Sequence, residues 1–282
     1  MGPDGDPPSA APADEDRTVG RQTVLVGDCL VRLAELPEGS VDVVVTSPPY
    51  NIGLAYNAYD DGGDRAAYLD FIAAAGRALK RVLAPGGSFF LNIAGTASDP
   101  WIAQEVAAAL RPLFVLQNAI VWVKSIAIDG RSVGHFKPIN SRRYLNHTYE
   151  HVFHFTATGA VPLDRLAVGV PFQDKSNIAR FGHDADRRCA GNVWFIRYET
   201  IRSRGERFHH PSPFPVELPE RCILLHGRRD ATVLDPFLGT GSTLVAAERL
   251  GCRGIGIELD PVYAAAAVRR LEGLAPLAPD VA

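Results

Sequence analysis

Ser47-Pro48-Pro49-Tyr50 follows directly on the apolar run Val41-Asp-Val-Val-Val45. A β-branched stretch of this kind is a buried strand that delivers a rigid loop to a sheet edge. The two prolines fix φ and remove two backbone donors. The Ser47 hydroxyl, the Pro48 carbonyl and the Tyr50 ring are left facing outward. Two acceptors beside a flat platform suit an exocyclic amino group on a planar base. An ordinary proline turn after a strand has the same local sequence, so a second segment must decide.

That segment is Val233-Leu-Asp-Pro-Phe-Leu-Gly-Thr-Gly-Ser-Thr243. A short strand over Thr232–Leu234 ends in Asp235, and Pro236 and Phe237 lead to Gly239 and Gly241. The glycines allow close approach of backbone to a ligand, and Ser242 is placed to cap the helix that follows. Leu244 stands where a third glycine of a dinucleotide fingerprint belongs, and no lysine precedes Ser242, which excludes a phosphate-binding P-loop. Gly254-Ile-Gly-Ile-Glu258 is a further strand ending in an acid, 23 residues after Asp235. An acid at about this spacing is where doubly wound folds hold ribose hydroxyls. Asp260 and Pro261 start the next helix as N-cap and first-turn proline.

With both loops in view, the chain resembles the amino-group DNA methyltransferases that use S-adenosylmethionine. Their catalytic loops read Asp/Asn/Ser-Pro-Pro-Tyr/Phe/Trp, and their cofactor loops often read Asp-Pro-Phe-x-Gly-x-Gly-Ser/Thr-Thr. The catalytic loop comes first here, the permuted order of the β class. Gly27-Asp28-Cys29 and His210-Pro-Ser-Pro-Phe-Pro-Val-Glu-Leu218 extend the likeness from about Val24 to Leu271. The resemblance implies an α/β fold: a Rossmann-like, mainly parallel sheet with helices on both faces and an inserted target-recognition region. It implies Ser47, Pro48, Pro49 and Tyr50 as the catalytic loop, with Tyr50 stacking on a flipped base. It places Glu258 on the ribose, the backbone of Phe237–Gly241 beside the methionine moiety, and Ser242 and Thr243 near its carboxylate. Asp28 and Cys29 border the adenine, and His210, Pro211 and Phe214 close the methionine side. Asp235 and Pro236 complete the cofactor set; no metal is implied.

The chemistry expected is methylation of cytosine N4 in double-stranded DNA, since members with Ser at position 47 usually modify that atom and members with Asp or Asn usually modify adenine N6. Adenine N6 stays open, because some Ser-Pro-Pro-Tyr enzymes act there. A methyltransferase for RNA or for a protein amide, and a non-enzymatic DNA-binding module, also stay open. The recognition sequence, a companion restriction endonuclease, and the choice of monomer or homodimer are not legible.

Charge points the same way once divided. Residues 124–209 carry 14 Lys and Arg against 8 Asp and Glu, a balance of +6 that leaves −9 for the rest of a chain totalling −3. Such asymmetry marks one part of a molecule for a polyanion. Lys124, Arg131, Lys137, Arg142, Arg143, Arg187 and Arg188 are the candidate DNA contacts. Four scattered cysteines without Cys-x-x-Cys pairs fit a reducing cytoplasm. No apolar run reaches the roughly 18 residues of a membrane span.

The elements that must position these groups follow in order. Residues 1–20, rich in Pro, Ala and Asp, are expected to be a disordered tail. The catalytic part spans 21–156, with strands at Thr23–Val26, Val41–Thr46, Ser88–Ile93, Leu116–Val123 and Glu150–Phe155, and helices at Cys29–Leu36, Ala66–Leu83 and Trp101–Leu110. Target recognition is assigned to 157–208, the cofactor part to 209–272, and a tail to 273–282. If the strands ending at Asp28, Ser47, Asp235 and Glu258 are neighbours, all four side chains meet at one sheet edge.

Overall fold

The computed structural model describes residues 15–134, 138–182, 184–197 and 214–274. The chain opens with β1 (Arg17–Val19) and β2 (Gln22–Val26), followed by α1 (Cys29–Glu35) and β3 (Val41–Thr46). Next come α2 (Arg65–Val82), β4 (Leu83–Ile93), α3 (Ile102–Leu110) and β5 (Val115–Val123). A hairpin of β6 (Ser125–Ile128) and β7 (Arg131–Gly134) precedes β8 (Tyr149–Thr156), α4 (Ser176–Arg180) and β9 (Val193–Phe195). The last elements are α5 (Glu217–His226), β10 (Thr232–Asp235), α6 (Ser242–Arg249), β11 (Arg253–Glu258) and α7 (Pro261–Glu272).

Nine strands form one sheet in the order β1-β2-β11-β10-β3-β4-β8-β5-β9. From β2 through β4 every neighbouring pair is parallel. β8 lies antiparallel between β4 and β5, and β9 runs parallel to β5. This is the mainly parallel α/β sheet expected. Fully buried β3 shows why the sheet is covered on both sides: Val43 and Val45 pack with α5, α6 and α7, while Val44 packs with α1, α2 and α3. Burying each such valine stabilises the fold by about 1.5–3 kcal/mol. Among the described residues no helix is long and apolar enough to cross a membrane.

Strands β2, β11, β10, β3, β4 and β5 all point the same way, so their carboxyl ends share one edge. The four strands ending before Asp28, at Glu258, at Asp235 and before Ser47 are consecutive in the sheet. The condition for their meeting is fulfilled.

Two expectations need correction. Arg17–Val19, assigned to a disordered tail, pairs antiparallel with β2; Gly20, at φ +58°, makes the tight turn that lets it fold back. Ser242 does not cap α6. Gly241 holds the N-cap position at φ 84°, and the Ser242 hydroxyl donates instead to the Phe214 carbonyl at 2.9 Å.

The segment assigned to target recognition begins away from the chamber. Because β8 descends, the chain leaves Thr156 at the opposite, amino edge of the sheet. Gln117, near the start of β5, donates to the Val161 carbonyl at 2.7 Å, and Asp164 N donates to the Leu225 carbonyl at 2.9 Å, just before β10. Residues 157–164 therefore start along the amino edge, and by Asn192 the chain is back beside Val121 in β5, where β9 begins. Arg187 and Arg188 are exposed, and Arg188 pairs through its backbone with Val170.

Candidate functional site

A cavity of about 700 Å³ opens at the carboxyl edge. Ser47, Pro48, Pro49 and Tyr50 line it, as do Asp28, Cys29, Pro236, Phe237 and Glu258. The catalytic loop and five of the thirteen expected cofactor residues are thus in one chamber. Among the described residues, Lys124 is the candidate DNA contact that also lines it.

The catalytic loop is held from three sides. Tyr68 on α2 donates its hydroxyl to the Pro49 carbonyl at 2.8 Å. Buried Asp61 accepts the backbone N–H groups of Asn51, Ile52 and Leu54 at 2.7, 3.1 and 3.0 Å. Arg65 reaches the Asn51 side chain at 2.7 Å while pairing with Asp99 and Glu105. Three backbone donors on one carboxylate fix a turn that carries Asn51 at a left-handed φ of 58°. Asp61 carries no weight in the sequence reading, although an acid inside Asp60-Asp61-Gly62-Gly63 is a turn signal.

Ser47 is not isolated. Its Oγ lies 2.8 Å from the Tyr50 hydroxyl, which donates to Glu150 Oε2 at 3.1 Å. Asn92 Nδ2 donates to the same oxygen at 3.0 Å, and Lys124 Nζ donates to Oε1 at 2.8 Å. Glu150 opens β8 and is buried, 8% exposed. Burial, and then the Glu150 charge, push the Tyr50 phenol well above its ordinary value, so it stays protonated.

The acids at the strand ends divide into two kinds. Glu258 lines the cavity and accepts from Gly239 N at 2.7 Å and Asp260 N at 2.9 Å. Burial outweighs those bonds and pushes its carboxyl up to about 7. Asp235 lies beneath the chamber, fully buried, accepting Thr46 and Thr243 hydroxyls at 2.6 Å each and Phe237 N at 3.1 Å. Its carboxyl is raised to about 6 by burial, with all three bonds opposing. Asp235 and Thr243 thus clamp the cofactor loop to the catalytic strand rather than line the chamber. Gly239, Gly241 and Ser242 likewise shape the loop without lining it. Gly256 completes the support, since a Cβ there would stand 2.6 Å from Leu238.

Asp28 caps α1 through one oxygen, accepting Leu30 N and Val31 N at 2.8 and 3.2 Å, and its other oxygen is left for a ligand. Burial raises the Cys29 thiol to about 12, which leaves it an apolar wall and no nucleophile. Phe214 packs against the hydrophobic core instead of the chamber. His210, Pro211 and Lys137 lie outside the described residues. Arg131, Arg142 and Arg143 are exposed on the described segments 125–134 and 138–148 between β5 and β8. The walls the sequence did not single out are aromatic: Tyr56, Tyr59, Phe71 and Tyr263. Phe71 meets Phe237 edge-on with centroids 5.9 Å apart.

Chemically the chamber has two lobes. One joins Glu258, Asp28 and Asp260 to aromatic walls, which suits a ribose, a planar base and a cation. The other gathers Ser47, Tyr50, Glu150 and Lys124. Among the described residues, four lining carboxyl groups face one lining ammonium, so the chamber favours a positively charged ligand.

Comparison with known proteins agrees with this geometry. A family model described as DNA methylase matches residues 41–269. The DNA adenine methyltransferase YhdJ of Escherichia coli (strain K12) is 27% identical over 264 residues, covering 89% of this chain and 83% of its own. The PvuII DNA methyltransferase (cytosine-N4-specific) shares the fold with a TM-score of 0.70 at 22% identity, covering 93% of this chain and 89% of its own. The Thermus thermophilus protein TTHA0409, solved in complex with S-adenosyl-L-methionine, has a TM-score of 0.60 at 28% identity and covers 88% and 92% respectively.

Proposed function

The chain belongs to the DNA methylase family of N6/N4 amino-methyltransferases, and on that premise we propose that it methylates the exocyclic N4 of a flipped-out cytosine in duplex DNA. The observation that carries the reading is one chamber holding the Ser47 hydroxyl and the Glu258 carboxyl, delivered by strands that neighbour through β10. S-adenosylmethionine supplies an electrophilic methyl group on a sulfonium. The residues present fit it: Glu258 for the ribose hydroxyls, the free Asp28 oxygen for the adenine amine, aromatic walls for the ring, and net negative charge for the cation.

An exocyclic amino nitrogen is a poor nucleophile because its lone pair is delocalised into the ring. Ser47 Oγ and the Pro48 carbonyl accept its two N–H groups and draw it toward tetrahedral geometry. Those bonds strengthen as positive charge develops on nitrogen, so they favour the transition state. Tyr68 and Asp61 keep the two acceptors in place, which supplies the positioning. A target base inside a duplex is out of reach of this chamber and must be extruded into it. Arg131, Arg142 and Arg143, on the segments between β5 and β8, support those segments as the DNA face, with Lys124 at their root.

Ser47, a neutral acceptor, supports cytosine over adenine. The adenine reading has its own support in the similarity to YhdJ. Digestion of methylated duplex DNA to nucleosides and mass spectrometry decides between them. N4-methylcytosine is the expected product, formed by Ser47→Ala at a turnover lower on the order of 10²–10³. N6-methyladenine alone overturns the choice of base.

A further inference from the structure

The hydroxyl chain behind Ser47 has a direction, and Glu150 sets it. An ionised carboxylate accepts hydrogen bonds and donates none. Tyr50 therefore gives its single proton to Glu150 Oε2, 3.1 Å away, and meets Ser47 as an acceptor at 2.8 Å. Ser47 in turn directs its proton to Tyr50 and presents only lone pairs to the cavity. Asn92 adds a second donor to Glu150 Oε2, and Lys124 occupies Oε1. The other titratable groups facing this carboxylate are His147 and His151, and burial lowers both from their ordinary value. Lys124 is then the cation that faces it.

We propose that Glu150, paired with Lys124, is a positioning residue that acts through Tyr50 to make Ser47 a pure acceptor for the substrate amino group. It also receives, at the end of the chain, the proton the product must lose. This rests on the amino-methyl-transfer reading above. The amino nitrogen forms a bond to the methyl carbon as the carbon–sulfur bond breaks, its electron pair staying on sulfur, and positive charge passes to nitrogen. One N–H proton then goes to Ser47 Oγ, the Ser47 proton to Tyr50, and the Tyr50 proton to Glu150 Oε2. A neutral methylamino base and a neutral Glu150 carboxyl result, and the carboxyl re-ionises to water.

The test is a double-mutant cycle of Glu150→Gln and Tyr50→Phe in the full chain, read as single-turnover methylation of duplex DNA at saturating S-adenosylmethionine. In Glu150→Gln the amide oxygen stays on Lys124, so the NH₂ faces Tyr50. Tyr50 must now donate to Ser47, and the Ser47 proton turns toward the substrate N–H. A loss of about 10²-fold is expected in the parent background, and less than about threefold in Tyr50→Phe, where no hydroxyl transmits the reversal. Equal losses in both backgrounds, or none in either, overturn the proposal. Should Glu150→Gln not fold, Tyr50→Phe alone must slow the parent by about tenfold or more, because Ser47 then loses the acceptor that directs its proton; an unchanged rate overturns the proposal. A parent chain that methylates no DNA at all fails the functional reading instead, so the two failures are distinct.

Discussion

Glu258→Gln separates what the cavity costs the fold from what it gives the ligand. A carboxyl moved from 4.5 to about 7 is disfavoured in its ionised form by about 3 kcal/mol. That figure is an upper bound, because Glu258 keeps some contact with solvent through the cavity. The folded chain binds more protons at Glu258 than the unfolded chain between 4.5 and about 7. Stability therefore falls as pH rises through that window, and the cost is complete above it. The glutamine removes the charge but turns an NH₂ toward Gly239 N or Asp260 N, which returns about 1–2 kcal/mol. At pH 8 the variant should be more stable by about 1–2 kcal/mol, a rise in melting temperature of about 2–6 °C. At pH 5 the parent carboxyl is largely protonated and the difference should vanish or reverse. Cofactor affinity should move the other way, falling about 10- to 100-fold at pH 8 with the loss of a charge-assisted bond to the ribose. Calorimetric melting at both pH values, and titration calorimetry with S-adenosylmethionine, give the two readouts. A variant that melts below the parent at pH 8, or that binds cofactor as the parent does, refutes the reasoning.

Arg142→Ala with Arg143→Ala should lower the salt slope of duplex DNA binding by about two phosphate contacts; an unchanged slope would mean that DNA meets another face. Asp61→Ala orphans three backbone N–H groups and should destabilise the chain by about 3 kcal/mol or more. Urea unfolding measures this, and a change under about 0.5 kcal/mol would show the catalytic loop to be held elsewhere.

The strand-to-loop junctions were legible because the signals there are local. β-branched runs, a terminal acid and a glycine turn follow one another in a few residues, as at Val41–Tyr50 and Thr232–Thr243. The Asp260 cap with Pro261 behind it was legible for the same reason, and its oxygen accepts Val262 N at 2.7 Å. Asp235 shows the limit. An acid at a strand end looks the same whether it faces a ligand or two threonine hydroxyls, and one of those threonines lies 189 positions away. Glu150 was out of reach for a similar reason. It opens an ordinary alternating strand, and its partners Tyr50, Asn92 and Lys124 come from three other parts of the chain. The course of the chain after Thr156 depended on the direction of β8. Only the antiparallel descent shows that residues 157–164 start at the edge opposite the chamber.

The interleaving of β10 and β11 between β2 and β3 bears on how the chain reaches this state. β2 and β3 are consecutive in sequence, yet the two strands that fill the gap between them follow every other strand of the sheet in the chain. Until about residue 235 has emerged, fully buried β3 has a bare edge on one side, a row of unpaired backbone groups flanked by valines. Such an edge is a template for wrong partners, and closing it requires pairings of high sequence separation, which are slow. The nascent chain carries a complete Ser-Pro-Pro-Tyr loop and no cofactor lobe, so it is chemically silent throughout synthesis. Completion of the sheet and completion of the chamber are therefore one event, and a truncated product is both inert and prone to aggregate.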